Sequence, residues 1–316
     1  MVKNLKIYKD FNISRKFNNS IILIGNFDGL HIGHQKLFNI ANKYKKKNKL
    51  RLGVITFDPI PKMFFNPSLK NYRISNFEEK VEFLKRYKVD FIINKKFDKN
   101  FSKIKYLDFI KKILHKKIQA KFIFVSDNFK FGNNREGDVK SLIKYENKYN
   151  YKIIKPKPLR SKKYLISSSL IRKLLIKSEL NLAKKYLNRS WAIQGKVQIG
   201  RKLGRKLGFP TCNIDVKDYI IPKLGVYAAK IKIHNKNQIF KGIVNLGYRP
   251  TFNQKKLLLE VNIFNFSKNL YFKKLKVEFI KFIRGEKKFK NINHLKKQID
   301  KDVKNCKKIL NEQRTY

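Results

Sequence analysis

Cysteine, acid and long apolar runs are what this sequence has little of. Its two cysteines, Cys212 and Cys306, are too few for a disulfide framework and sit in no CxxC spacing. That excludes a disulfide-stapled domain or a zinc ribbon and makes a reducing compartment the default. No apolar run approaches the roughly 18 residues of a membrane span. The opening segment MVKNLKIYKDFNISRKFNNS has no apolar core of signal-peptide type. A cytoplasmic protein with no membrane partner is expected. Acids are scarce: 22 Asp and Glu stand against 76 Lys and Arg, a formal net charge of +54. Such a balance suits a polyanionic partner. The basic residues, however, run along the whole length without clustering, and the chain is equally heavy in Asn, Ile, Phe and Tyr, whose codons are rich in A and T. Genome composition is the simpler source of the charge, and no specific nucleic acid is expected.

What is present is enough for two folded cores. The 316 residues are 42% hydrophobic, about two domains at roughly 150 residues each, and the pattern changes near residue 188. Up to residue 187, short apolar runs at 21–24, 52–57, 91–93, 122–125 and 151–154 read as buried strands. Amphipathic helices alternate with them at 35–47, 77–87, 105–116 and 138–148. Ser75 with Glu78 reads as a capping box for the second helix. This alternation predicts an open α/β fold with a parallel sheet covered on both faces. In 188–316, strands of period two at 191–199, 226–234, 239–246, 257–266 and 275–283 predict a small antiparallel barrel or sandwich. A closing helix over 291–312 places Ile292, Leu295, Ile299, Val303 and Ile309 near one face.

The first chemical constellation is Gly25-Asn26-Phe27-Asp28-Gly29-Leu30-His31-Ile32-Gly33-His34, directly after the first strand. A strand, a glycine turn and a helix start bring backbone N–H groups and the helix dipole to one place, where an anion binds. His31 and His34 can donate to a polyphosphate, and Gly29 and Gly33 let it approach the backbone. As a zinc pair they lack a third ligand: His115, His234 and His294 lie elsewhere, away from any Cys cluster. Two exposed histidines on a turn are the plainer reading.

This segment resembles the ATP-binding signature of the nucleotidylyltransferase superfamily, and GNFDGLHIGHQ resembles its flavin branch, the bifunctional riboflavin kinase/FAD synthetases. Ile166-Ser167-Ser168-Ser169-Leu170-Ile171-Arg172 is similar to that family's ISSTxIR, which implies that Ser167, Ser168, Ser169 and Arg172 cover ATP phosphates; Ser169 replaces the usual Thr. Asp127-Asn128-Phe129-Lys130-Phe131-Gly132, with Arg135, Gly137 and Asp138, resembles the flavin-side DFxFGxxxxGD, and Lys130 stands where Arg is common. Thr56-Phe57-Asp58-Pro59-Ile60-Pro61 resembles TFxPHP, but Ile60 replaces its histidine. If that histidine holds substrate, adenylyl transfer is weakened here. Without the resemblance, the stretch is a strand followed by a proline turn, and Arg172 is one solvated cation among 76 Lys and Arg.

The second constellation, Gly200 through Asn213, contains no Walker GxxxxGK[ST], and by itself is a basic glycine loop able to bind any phosphate. It resembles the riboflavin kinase loop GRxLGFPTAN, with Cys212 for Ala. The resemblance implies nucleotide contacts at Gly204, Gly208 and Pro210, and magnesium ligands at Thr211 and Asn213, hard oxygens that suit the ion. Gly225-Val226-Tyr227-Ala228, the segment Gly242 to Phe252 and Phe282 to Phe289 resemble further family stretches, with Arg249 and Arg284 on the flavin side. Glu260 falls at the family's general base; alternation alone makes it a solvent-facing strand residue. Asn262 departs from a frequent His.

The resemblance runs over nearly the whole chain. It implies a Rossmann-like nucleotidylyltransferase domain over 1–187 that turns FMN and ATP into FAD. A six-stranded β-barrel riboflavin kinase domain over 188–316 then supplies the FMN. In the first, Gly25, Asn26, Phe27, Asp28, Gly29 and Gly33 bind nucleotide, His31, His34 and Arg172 act on its phosphates, and Asp127, Asn128 and Phe129 face the flavin. Riboflavin, FMN and ATP are the expected partners and Mg2+ the cofactor. Two alternatives stay open: a chain in which only one half works, given Ile60 and Asn262, and a basic RNA-binding protein on the same fold, marked by Lys and Arg clustered beside exposed aromatics.

Overall fold

The computed structural model describes residues 5–161, 164–199, 204, 208–236, 238–250 and 255–312, of which 249, 250, 255 and 256 by backbone alone. The chain divides into two compact units, Met1–Lys70 with Phe77–Ser167 and Asn71–Asn76 with Ser168–Tyr316.

The first unit carries strands β1 (Lys6–Tyr8), β2 (Ile21–Ile24), β3 (Leu52–Asp58), β4 (Phe91–Lys96) and β5 (Phe122–Phe124). A hairpin of β6 (Lys130–Phe131) and β7 (Gly137–Asp138) follows, then β8 (Lys152–Ile154) and the small antiparallel pair β9 (Arg160–Ser161) and β10 (Tyr164–Leu165). Six strands form one sheet in the order β1-β4-β3-β2-β5-β8, and every pairing in it is parallel. The apolar runs are continuous because each strand feeds two cores. On β2, Ile22 and Ile24 join Ile55, Phe91 and Ile110 on one face, whereas Ile21 and Leu23 join Leu52, Val54 and Phe38 on the other. Each such side chain contributes about 1.5–3 kcal/mol by leaving water. From β2 the chain runs outward through β3 and β4, then returns to lay β5 and β8 on the opposite side. The reversal between β2 and β5 opens a crevice beyond their carboxyl ends, where open α/β sheets bind ligands.

The helices expected at 35–47 and 77–87 are present as Ile32–Lys47 and Phe77–Arg86. The segment 105–116 is one turn, Tyr106–Asp108, followed by a π-helix, Phe109–Lys117. The segment 138–148 divides at Tyr145 into Val139–Lys144 and Glu146–Tyr149. Asp138 starts the first piece in a capping box with Ser141, whose backbone N–H donates to the carboxylate at 2.9 Å. That bond, then the Ser141 hydroxyl, pulls the carboxyl down to about 2.

The second unit is a closed antiparallel barrel. Its strands β11 (Ala192–Gln198), β12 (Cys212–Asp215), β13 (Gly225–Ile233), β14 (Ile239–Pro250), β15 (Lys255–Ile263) and β16 (Lys274–Gly285) follow the order β11-β12-β15-β14-β13-β16. The six strands match the barrel that the resemblance implied; period-two alternation located five of them, and β12 lies in a segment read as loop. Only Ile214 of its four residues is buried, too short an alternation to register. Barrel closure makes it a strand, since β11 and β15 would otherwise each expose an unpaired edge.

The closing helix runs Ile292–Glu312, but its buried face is Asp302, Cys306 and Leu310, with Val303 and Ile309 partly covered. Ile292 is 66% exposed, contrary to the expected stripe. Only the C-terminal half of the helix packs on the barrel, against Val226, Ala228 and Ile243. Leu295 and Ile299, from its first half, roof a cavity instead.

Candidate active sites

In the first unit the glycine turn leaves β2 at the switch point. Gly25 N–H donates to the Ile55 carbonyl at 3.0 Å, and the backbone then bends through positive φ at Phe27 (47°), Gly29 (76°) and Leu30 (35°). Positive φ at Phe27 and Leu30 is strained. It is held because both side chains are buried in the core beside Phe38. Asp28 is buried as well. His31 is the N-cap of the helix Ile32–Lys47, and its ring stacks on His34 with centroids 3.7 Å apart. His34 also meets Phe27 edge-on at 5.3 Å. Burial, then the positive fields of His31 and Lys80, holds the His34 imidazole well below its ordinary pKa. His34 Nδ1 and Asn26 Oδ1 are buried atoms with no hydrogen-bond partner among the described residues.

Two other predicted segments come to this place within the same unit. A Cβ on Gly33 would lie 3.5 Å from the Ile166 carbonyl oxygen, so the residue before Ser167 closes on the helix start. The segment after β5 turns at Phe129 N–H to Ser126 O, 3.0 Å, on the other side of the switch point. Phe129 stacks on Phe131 at 5.4 Å and 16°, while Asp127 and Asn128 are exposed. In the second unit, Ser168 begins the helix Ser168–Ile176 and Ser169 is exposed. Arg172 is no solvated cation. It is 8% exposed, stacks 3.7 Å over the Tyr72 ring and donates from Nε to the Tyr72 carbonyl at 2.8 Å, a cation–π arrangement.

The barrel assembles its residues by register. Asn213 pairs with Glu260, Glu260 with Asn245, Asn245 with Val226 and Val226 with Arg284. Residues paired across antiparallel strands point to the same face, so β12, β15, β14, β13 and β16 present one transverse row. Asn245 Nδ2 donates to Glu260 Oε2 at 3.2 Å. At the far end, Arg284 donates from Nε to both Asp302 oxygens at 3.1 and 2.9 Å, and Gln298 donates to the same carboxylate at 2.8 Å. Between row and closing helix lies a cavity of about 380 Å³ lined by Gly204, Thr211, Asn245, Glu260 and Arg284 among others. Glu260 thus faces a cavity rather than open solvent.

The loop into β12 borders the same space. A Cβ on Gly204 would come within 2.4 Å of the Phe209 carbonyl oxygen, so only glycine fits there. Asn262 Nδ2 donates to the Pro210 carbonyl at 2.7 Å, tying the loop to β15 two residues past Glu260. Gly208 has φ 86°. Residues 200–203, 205–207, Thr251, Phe252 and the Arg249 side chain lie outside the described residues. Among those described, no group of three or more His, Cys, Asp and Glu is arranged to hold a metal. Asn213 Oδ1 is nonetheless buried and without a hydrogen-bond partner among them, one strand from the Glu260 carboxylate and close to Thr211. Such oxygen donors fit a magnesium ion carried in by a nucleotide. Sequence reasoning did not single out Asn245 or Asp302; the register partner of Glu260 was the missing information for the first, and the turn of the closing helix for the second.

Both halves of the chain resemble known proteins. A family model for FAD synthetase matches residues 13–170 and one for riboflavin kinase matches residues 187–310. A bifunctional riboflavin kinase/FMN adenylyltransferase from Buchnera aphidicola subsp. Schizaphis graminum is 41% identical over 97% of this chain and 99% of its own. One of the same name from Haemophilus influenzae is 35% identical over 95% and 97%. Among solved structures, a macrolide-efflux protein from Streptococcus pneumoniae superposes with a TM-score of 0.82 and 28% identity over 94% of this chain and 97% of that one. No described helix of the present chain is long and apolar enough to cross a membrane. With both halves matched in order, the chain belongs to the bifunctional riboflavin kinase/FMN adenylyltransferase family.

Proposed function

We propose that residues 188–316 phosphorylate riboflavin with ATP, giving FMN and ADP, and that residues 1–187 join FMN to ATP, giving FAD and pyrophosphate. The observation that carries this reading is the transverse row of the barrel, which sets the Glu260 carboxylate and Arg284 on the lining of one cavity and pairs Glu260 in register with Asn213, whose buried amide oxygen is orphaned among the described residues. Riboflavin's 5′-hydroxyl is a poor nucleophile until its proton is accepted. Glu260, oriented by Asn245, takes that proton as the oxygen attacks the γ-phosphorus and ADP leaves. Arg284, fixed by Asp302, and Arg249 meet the flavin, while Gly204, Gly208 and Pro210 shape the nucleotide loop. Thr211 and Asn213 would hold a magnesium ion, which when bound neutralises phosphate charge.

Adenylyl transfer starts from a phosphate that is already ionised, so it needs no base. The FMN phosphate attacks the α-phosphorus in line and pyrophosphate departs; positioning and charge neutralisation carry the rate. His31, His34 and the turn from Gly25 to Gly33 hold the polyphosphate. His34 is neutral near pH 7 in the free chain and acts as a hydrogen-bonding group, whereas Arg172, at the end of the Ser167-Ser168-Ser169 segment, supplies charge. Asp127, Asn128 and Phe129 receive the flavin. Ile60, in place of the histidine of TFxPHP, is buried at the start of the helix Pro61–Phe65, so adenylyl transfer proceeds here with no imidazole at that position. Incubation with riboflavin and Mg-ATP, followed by chromatographic separation of the flavins, tests the reading: FMN and then FAD are expected. FMN alone would reduce the chain to a kinase, and neither product would overturn the proposal.

A further inference from the structure

Lys80 is anomalous among the chain's cations. It lies on the helix Phe77–Arg86, whose buried face is Glu79, Lys80, Phe83 and Leu84, and is only 3% exposed. A lysine is seldom sunk to that depth, and it stands in the first half of a helix, where the macrodipole disfavours a cation. Local preference is overridden, and such conflicts concentrate at working sites.

Its surroundings say what it works on. Lys80 Nζ donates to Thr56 Oγ1 at 3.1 Å, and the Thr56 hydroxyl donates to the Asn26 carbonyl at 3.3 Å. Thr56 is fully buried at the carboxyl end of β3, with Asn94 of β4 as its register partner. The chain of bonds therefore runs from a buried ammonium, through one hydroxyl, to the second residue of the glycine turn. From there the backbone enters the strained stretch at Phe27 to Leu30. The same ammonium is close enough to His34 for its field to act on the imidazole. Threonine can serve this role because one oxygen both accepts and donates.

We infer that Lys80 is a positioning residue for adenylyl transfer, fixing the Asn26 carbonyl through Thr56 beneath the turn that receives the ATP phosphates. The inference rests on the reading of residues 1–187 as the adenylyltransferase. It assigns the anchoring lysine by burial and bonding, which set Lys80 apart from the solvated cations among the 76 Lys and Arg.

The test measures FAD formation from supplied FMN and Mg-ATP, with kcat and KM separated, in the full chain and in Lys80→Met, Thr56→Val, Thr56→Ser and the Lys80→Met/Thr56→Val double variant. Lys80→Met should lower kcat by about 100-fold, the effect of a small misplacement at a reacting centre, while the KM for FMN changes much less. Thr56→Val should lower kcat in the same direction, and the double variant should be no slower than Lys80→Met, because both changes cut one chain of bonds. Thr56→Ser, which keeps the hydroxyl, should recover most of what valine loses. Circular dichroism and thermal unfolding report whether each variant folds. If Lys80→Met does not fold, the Val and Ser variants of Thr56 decide the matter alone. Unchanged kcat in a folded Lys80→Met, effects that multiply in the double variant, or equal loss with Ser and Val would each overturn the inference. A parent chain that makes no FAD would instead overturn the reading on which it rests.

Discussion

Glu260 and His34 show how environment divides work between ordinary side chains. Glu260 is embedded in an apolar strand yet opens on a cavity, one oxygen held by Asn245. Replacing it with Gln keeps the shape and removes the basic carboxylate, so riboflavin phosphorylation should fall by ~100-fold or more, while supplied FMN still becomes FAD. Steady-state turnover with saturating riboflavin and Mg-ATP checks this; near-parental turnover would make Glu260 a plain strand residue. His34 is held below its ordinary pKa mainly by burial, so the folded chain prefers the neutral ring. As pH falls below about 6.5, the unfolded chain takes up a proton that the folded chain refuses, and stability declines with acidification. NMR titration should show the His34 ring still neutral at pH values where a free histidine is already protonated. A normal titration midpoint would contradict the burial argument.

Elements set the spacing of these groups. In the barrel, one register brings residues from five strands into a row, and a slip of one residue would turn Glu260 into the interior and Leu259 outward. The loop before β12 is equally constrained. Gly204→Ala places a carbon against the Phe209 carbonyl, so the loop must shift. Kinase turnover is expected to drop by about 10-fold or more, since displacement at a reacting centre is costly, while FAD formation from supplied FMN persists. Parallel assays of the two reactions on the purified variant measure this, and an unchanged kinase rate would mean that the loop yields freely. The helix start at Asp138 behaves differently on acidification. Its carboxyl, held at about 2 by Ser141, gives the cap a contribution that is complete above the ordinary carboxylate range and is lost as pH falls towards 2.

At the scale of the molecule, the family to which the chain belongs carries two reactions, and the product of one is the substrate of the other. Variants that disable different halves should therefore complement. His31→Ala should accumulate FMN and Glu260→Gln should use it, so a mixture of the two should convert riboflavin to FAD although neither does so efficiently alone. Flavin chromatography of the mixture reads the outcome, and absence of FAD would mean that the halves do not act independently. The charge of +54 is also a property of the whole chain. Spread along the sequence, it should bind duplex DNA weakly and without sequence preference, and the binding should collapse as salt rises through the physiological range. Fluorescence anisotropy at several salt concentrations tests this; sequence-selective binding that survives physiological salt would point to a nucleic-acid function.

The local order of the chain was legible because it needs only local physics. Apolar runs such as Ile21–Ile24 mark central parallel strands, period-two segments mark the barrel, and the glycines from Gly25 to Gly33 mark a tight turn between strand and helix. What depends on a distant partner was not legible. Strand β12 exists because the barrel must close, and Asn245 acquires its role only by lying opposite Glu260. The closing helix turns Cys306 and Leu310 to the barrel because the cavity occupies the space beneath Leu295 and Ile299. Arg172 and Lys80 look like every other cation in a chain so basic. Burial distinguishes them, and burial belongs to the folded arrangement: the cost of taking a charge out of water appears only where the fold encloses it.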